Sequence, residues 1–300
     1  MNQTDSTILP QQPVKPVWLH ADHDKRIIYL NPTLYSSGIV QITSSGISFI
    51  DQPSGLLQVY PTAYKPSLPT GPYLLPADEM NDIWVYFETF FVSQLWANAN
   101  DRMFLAAWLL SAPLVEWLDQ PIHIRLVGNN KHASEWVKYK LQILLFGNAT
   151  EPSKRLSPDW QTSMSLIFDT IGIGAFSSST WVARKRLWIN TVTQRCDEIC
   201  SDPNIVKITC NQALMDRRGR NVTDDSIHMF RARFLSAQYL LLSEILKQHE
   251  SELADNNRTS IPSIHRLTTK NGLLSHKAVI RYITNKIETA IITYRNTKLQ

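Results

Sequence analysis

One feature limits the fold of this 300-residue chain more than any other: an apolar run that stops at a glycine and hands over to a helix-period segment. Ile122–Val127 reads as a buried strand and Gly128 opens a polar loop. Trp136-Val-Lys-Tyr-Lys-Leu-Gln-Ile-Leu-Leu145 then carries its apolar residues at helical spacing. Residues 165–168 (Ser165–Phe168) and 205–209 (Ile205–Thr209) are two further short apolar runs of strand length. Strands that alternate with helices are brought side by side by crossover connections, which predicts a largely parallel sheet with helices packed on it.

The flanks read differently. Residues 1–16 form a polar tail with Pro10, Pro13 and Pro16. Ile27–Leu30, Gly38–Ile42 and Gly46–Ile50 are β-rich runs separated by Asn-Pro and Ser-Ser-Gly punctuation, the pattern of a small antiparallel meander. Prolines at 53, 61, 66, 69, 72 and 76 make 51–78 a linker, because proline is excluded from central strands and helix interiors. Beyond it, Ile83, Tyr86, Phe87, Phe90 and Phe91 share one helical face, and Arg102–Leu110 reads as a fully buried helix ending before Pro113. From Asp224 onward the chain is helical, broken at about 255–263, with a last amphipathic helix from about Ser275 to Tyr294. The expected organisation is a tail (1–16), a small β-rich segment with its linker (17–78), an α/β core (79–222) and a helical C-terminal region (223–300).

A hydrophobic content of 43% with nine tryptophans describes a core-forming chain. No apolar run approaches the ~18–20 residues of a membrane span, and the N-terminus lacks the pattern of a signal peptide. Cys196, Cys200 and Cys210 are odd in number and contain no C-x-x-C pair, which fits reduced thiols and a cytoplasmic location. The eight histidines show no metal-ligand spacing; His20-x-x-His23 comes nearest and is read as lying on a turn. The net charge of +4 conceals a gradient: 4 basic against 8 acidic residues in 1–100, 11 against 9 in 101–200, and 15 against 9 in 201–300. An anionic partner is therefore sought towards the C-terminus.

Strand, glycine-led loop and helix is also the setting in which backbone N–H groups cradle phosphates at a helix N-terminus. The motif G-x-x-x-x-G-K-[ST] requires a second glycine, a lysine and a hydroxyl. Counted from Gly128, those places hold Ala133, Ser134 and Glu135. Leu166-Ile-Phe-Asp169-Thr170 is an apolar strand ending in a carboxylate, where an ATPase would hold Mg²⁺. Val206-Lys-Ile-Thr-Cys-Asn211 is a strand ending in an amide, where a residue could sense a terminal phosphate.

At these residues the chain resembles the primase-helicase-like AAA+ ATPases of phages, plasmids and integrative elements, over roughly 17–250. Arg26-Ile-Ile-Tyr-Leu30, Val40-Gln-Ile-Thr43 and Gly46-Ile47 are similar to that family's strands before the ATPase module. Asp101–Leu110 is similar to its helix before the phosphate-loop strand, Phe168-Asp-Thr-Ile171 to its Walker B strand, and Ile208–Asn211 to its sensor strand. Asp216-Arg-Arg-Gly-Arg220, followed by Asp224, Phe230 and Leu240–Leu246, is similar to its arginine segment and lid helices. The resemblance implies an AAA+-like (P-loop NTPase-type) parallel sheet with flanking helices.

The departures imply that the reaction is lost. Ser134 replaces the phosphate-bridging lysine, and Thr170 stands where a second acid would polarise water. Glu135 replaces the Mg²⁺-binding hydroxyl, and its carboxylate would repel phosphate by a few kcal/mol at an effective dielectric of about 20. The expected vestigial nucleotide site is thus Gly128, Lys131, Ser134, Glu135, Asp169 and Asn211, without a cofactor. Asp169 on its own is also an ordinary turn residue, and 128–135 an ordinary strand-to-helix turn capped by Asn129 or Asn130. Arg184, Lys185 and Arg186, beside Trp181 and Trp188, together with Arg217, Arg218 and Arg220, are candidate contacts to DNA or a partner protein. The first cluster is equally a solvated helix face over two buried tryptophans, and the second a surface loop. The expected function is a non-catalytic AAA+-like binding or scaffolding protein of a mobile genetic element, engaging DNA or a replication or defence protein. Two alternatives stand beside it: a DNA-dependent ATPase or helicase subunit using Lys131 with ATP and Mg²⁺, and a protein-interaction adaptor without nucleic-acid binding.

Overall fold

The computed structural model describes residues 19–22, 25–30, 39–50, 99–128, 144, 166–170, 187–193, 203–210, 224–256 and 266–298. They form a mixed α/β structure with one antiparallel sheet, one parallel sheet and a set of helices.

The antiparallel sheet is a meander of β1 (Leu19–Asp22), β2 (Ile27–Leu30), β3 (Ile39–Thr43) and β4 (Gly46–Ile50), paired in chain order. Its alternation is physical. Ile28, Leu30, Val40 and Ile42 are buried, while their neighbours along each strand are partly open. The β3–β4 turn uses Ser44 and Ser45 and returns at Gly46, whose φ of 145° suits glycine. Thr43 Oγ1 donates to the Gly46 carbonyl at 3.1 Å. β1 adds a strand to the expected three and corrects the reading of His20, which lies on β1 paired with Tyr29.

α1 (Ala99–Ser111) runs into a 3-10 helix (Ala112–Trp117) that admits Pro113 in its first turn, where the missing N–H costs nothing. Leu105 to Val115 are buried on every side, as expected of a helix enclosed by other elements. α2 (Asp224–Asn256) is a single 33-residue helix, longer than its apolar stripe foretold, and α3 (His276–Lys298) packs on α1. α2 carries the meander on β3 and β4, with Ser243 Oγ donating to the Thr43 carbonyl at 2.6 Å.

The second sheet is parallel, in the order β6 (Leu166–Thr170), β7 (Leu187–Thr193), β5 (His123–Gly128), β8 (Ile205–Cys210). β5 is central, and His123 through Val127 are all buried, as in a strand covered on both faces, although His123 and Arg125 interrupt its apolar residues. β8 is an edge strand with Lys207 and Thr209 exposed and Ile208 buried.

β7 is the main departure from expectation. Trp188 lies on a strand, not on the helix face read beside Arg184–Arg186. Its β-branched run, Ile189, Thr191, Val192 and Thr193, is the signal that the adjoining basic cluster obscured.

Candidate functional site at the carboxyl edge of the parallel sheet

The chain leaves β5, crosses β7 to form β6, returns to β7, then crosses β5 to form β8. The direction of travel therefore reverses between β5 and β7, and such a reversal opens a crevice beyond the carboxyl ends of the two strands. Gly128 stands at that edge, paired with Thr193 of β7 on one side and Cys210 of β8 on the other. Of the residues expected around it, only Gly128 and Asp169 are described. Lys131, Ser134, Glu135 and Asn211 lie outside the described residues, as do Arg184, Lys185, Arg186, Arg217, Arg218 and Arg220.

The register places Asp169 lower in the sheet. Asp169 pairs with Asn190, Asn190 with Arg125, and Arg125 with Lys207, so these four form one row across all four strands. That row lies three residues before Gly128 on β5, about 10 Å back from the edge at ~3.3 Å per residue. The Ile205–Cys210 strand read as the sensor is β8, next to β5 and separated from β6 by β7 and β5, because the second crossover carries the chain past β5 to the far edge.

Arg125 is 2% exposed. Burying a guanidinium is costly unless charge and hydrogen bonds compensate it, which makes Arg125 the most unusual buried side chain described in this sheet. Nothing in its sequence neighbourhood, an arginine within an apolar strand, marks it as more than an interruption.

Downstream of Gly128, Leu144 is buried and helical, and Arg231 of α2 donates from Nε to its carbonyl at 2.9 Å. A second buried arginine thus ties the chain after the glycine loop to α2.

A different cluster joins α1, β5 and α3. The Ile122 N–H donates to His276 Nδ1 at 2.8 Å, which fixes the imidazole proton on Nε2 and directs it to Ser111 Oγ at 3.0 Å. Ser111 Oγ donates in turn to the Trp108 carbonyl at 2.8 Å, and Trp108 Nε1 donates to the Ile122 carbonyl at 2.6 Å. Burial, reinforced by the nearby His123, drives the His276 pKa down to about 3. The arrangement contains a serine and a histidine but no nucleophile. The hydroxyl proton points at a backbone carbonyl, and the imidazole nitrogen facing the serine carries a proton and is no base. The chemistry available here is structural: it locks the entry to β5 against the first turn of α3.

The segment 266–275 is held in the same manner. Glu252 of α2 accepts the N–H groups of Leu267 at 3.0 Å and Thr268 at 2.7 Å, and Gln248 Nε2 at 2.9 Å. Burial alone would raise its pKa, but the hydrogen bonds from Thr268, Leu267 and Gln248 outweigh that and hold the carboxylate below its usual value. His249 pairs through Nε2 with the Gly272 carbonyl at 2.9 Å, and burial lowers its pKa. Gly272 has φ +77°, the left-handed turn that lets Leu274 bridge back to Leu118. No spacing rule flags the contacts to 266–275, because there Glu252 and His249 meet backbone groups; Gln248 and Glu252, four residues apart on α2, pair side chain to side chain. Among the described residues, no group of three or more His, Cys, Asp or Glu is placed to hold a metal ion, and no helix is long and apolar enough to cross a membrane.

No family model matches the chain, and no curated protein matches it. Among solved structures it is similar to the A-form apo structure of the NrS-1 C-terminal region, at 10% identity and a TM-score of 0.35, over 83% of this chain and 70% of that one. A second apo structure of the NrS-1 C-terminal region (305–718) matches at 10% identity and a TM-score of 0.32, over 92% of this chain and 71% of that one.

Proposed function

We propose that this chain is a non-catalytic binding or scaffolding protein of a mobile genetic element, built on an AAA+-like core and engaging DNA or a replication or defence partner. The observation that supports this reading is the position of Gly128. It ends the central strand of a parallel sheet where the strand order reverses, the usual place for a ligand, yet the sequence after it offers Ser134 and Glu135 where a nucleotide needs lysine and hydroxyl. The register adds to it. Asp169 stands in the row of Arg125 rather than in that of Gly128, three residues back along β5 from the edge where Mg²⁺ would be held.

The test is titration of the purified protein with ATP in the presence of Mg²⁺. The expected result is no binding up to about 1 mM, where a working site binds in the micromolar range, and no hydrolysis with or without DNA. Micromolar binding with turnover abolished by Asp169→Ala would falsify the proposal. Turnover abolished by Lys131→Ala would establish an ATPase with a displaced phosphate contact. Binding of mixed-sequence DNA that weakens steeply with salt separates a DNA-engaging protein from a pure adaptor.

A further inference from the structure

The positive charge of the C-terminal third is not spread through it. Residues 201–265 carry eight basic and eight acidic side chains, whereas 266–300 carry seven basic (Arg266, Lys270, Lys277, Arg281, Lys286, Arg295 and Lys298) against Glu288 alone. The whole excess therefore resides in α3 and the turn leading into it. Within that region Lys286 is taken by Glu244 of α2 at 3.0 Å and lies over the Tyr282 ring. Lys270, at the turn, and Lys277 and Arg281, on α3, are exposed and meet no partner among the described residues.

Lys277 and Arg281 are four residues apart, hence one above the other on one face at ~6 Å of helix rise. The opposite face, with Val279, Ile280, Ile283 and Ile287, is buried. The exposed stripe continues through Asn285, Glu288 and Thr289 to Ile292, so its acidic residue lies about two turns beyond Arg281. No acidic residue occupies the first turn of α3, so nothing on the helix itself offsets Lys277.

Resting on the reading of the protein as DNA-engaging, we infer that this face of α3, with the Lys270 turn, is a docking surface for the phosphate backbone of double-stranded DNA, contacted without regard to sequence. The choice of partner follows from what the surface lacks. A protein partner needs an aromatic or apolar anchor at the centre of its interface, and Ile292, the exposed large hydrophobic among the described residues, shares this face but lies at its far end, ~16 Å of helix rise beyond Arg281. Single-stranded nucleic acid needs aromatic faces for stacking, and the stripe has none. Exposed Lys, Arg, Asn and Thr are the side chains that contact phosphate and sugar. Duplex DNA presents one charge per ~1.7 Å of axis, so each of the two helix cations finds a phosphate without distortion.

The experiment is fluorescence anisotropy of the full chain with a labelled mixed-sequence duplex at 50–200 mM salt, comparing wild type with Lys270→Gln/Lys277→Gln/Arg281→Gln and with Arg217→Gln/Arg218→Gln/Arg220→Gln. Circular dichroism verifies that both variants are folded. Loss of three phosphate contacts lowers the slope of log affinity against log salt by about 3, a difference of roughly 40-fold across that salt range. The inference holds if the first variant shows this loss and the second does not. Duplex binding that the first variant leaves unchanged overturns the surface while DNA engagement stands. Tighter binding of single strand than of duplex overturns the choice of partner. Absence of any DNA binding by wild type overturns both the surface and DNA engagement, and leaves the nucleotide-free scaffold to be judged by the ATP titration alone.

Discussion

The parallel sheet and the α1–α2–α3 assembly handle buried polarity in opposite ways. In the sheet, a charged guanidinium is enclosed at Arg125, and its cross-strand row contains Asn190 and Asp169. In the helical assembly, His276 and His249 are buried with lowered pKa values and are neutral, their hydrogen bonds running chiefly to backbone groups. Charge inside a fold demands compensation, so the sheet is sensitive to the loss of Arg125 itself. A neutral imidazole paired with backbone demands only geometry, so the helical clamp is sensitive to shape and to acid.

The largest expected effect breaks this comparison at the sheet. Arg125 is 2% exposed, so Arg125→Ala deletes a large enclosed side chain and opens a cavity, with an expected cost of about 3–5 kcal/mol in urea denaturation. Arg125→Met, which fills much of the same space without a charge, is expected to recover most of it. A cost for Arg125→Ala within about 0.5 kcal/mol of wild type, as for surface changes, would show that the guanidinium is not enclosed.

His276→Ala attacks the other side. It strips partners from the Ile122 N–H and Ser111 Oγ and opens a cavity, together worth roughly 3 kcal/mol. The pH dependence is the more specific readout. His276 is depressed in the folded state to about 3, so the unfolded chain takes up its proton first as pH falls below ~6.5. Its contribution is therefore complete above that value and is lost as pH drops towards the folded pKa. The expected slope is up to about 1.4 kcal/mol per pH unit, and His276→Ala should remove that much from the wild-type profile. Identical profiles for variant and wild type would show that this imidazole is not the acid-sensitive group.

How much of this was legible in the chain depended on whether the signal was local. Ile27–Leu30, Val40–Ile42 and Gly46–Ile50 alternate and are punctuated by Ser-Ser-Gly, so the meander could be read directly, apart from β1, whose Leu19-His-Ala-Asp22 has too little alternation. β5, β6 and β8 were visible as apolar runs, and parallel pairing followed from their spacing. Their spatial order was not legible, because crossovers leave no trace in hydropathy, and β7 was hidden behind the basic cluster that precedes it. The row through Arg125 needs register across four strands, and the His276 clamp joins residues more than 150 positions apart. Neither has a motif.

Glu252 gives a smaller, intermediate case, a charge used as the histidines are used. Glu252→Gln keeps the shape and loses the charge on hydrogen bonds from Leu267 and Thr268, an expected cost of about 1–2 kcal/mol. Since its folded pKa is lowered, its contribution is present above the ordinary glutamate range near ~4.3 and lost as pH falls through the folded value. That loss begins at more acidic pH than the loss from His276, so the two are separable in one titration of stability. Coincident onsets in wild type and Glu252→Gln would remove the glutamate from the clamp.

The smallest effect belongs to the pair that joins α2 to α3 at the surface. Lys286 Nζ lies 3.0 Å from Glu244, with side-chain exposures of 46% and 50%. The hydrogen bond that Lys286 donates to Glu244 raises the lysine pKa, and Tyr282 donates its own hydroxyl to Glu244 at 3.1 Å. Half-exposed charges are screened by water and salt, so Lys286→Ala is expected to cost no more than about 0.5 kcal/mol, and less at 1 M salt than at 0.1 M. The same substitution tests where the charge on α3 matters. Lys286 is occupied by Glu244 and stands off the stripe of Lys277 and Arg281, so its loss should leave the salt slope of DNA binding lower by well under 1. A full unit of slope lost with Lys286→Ala would mean that the ion pair opens on DNA and that the binding face wraps towards α2.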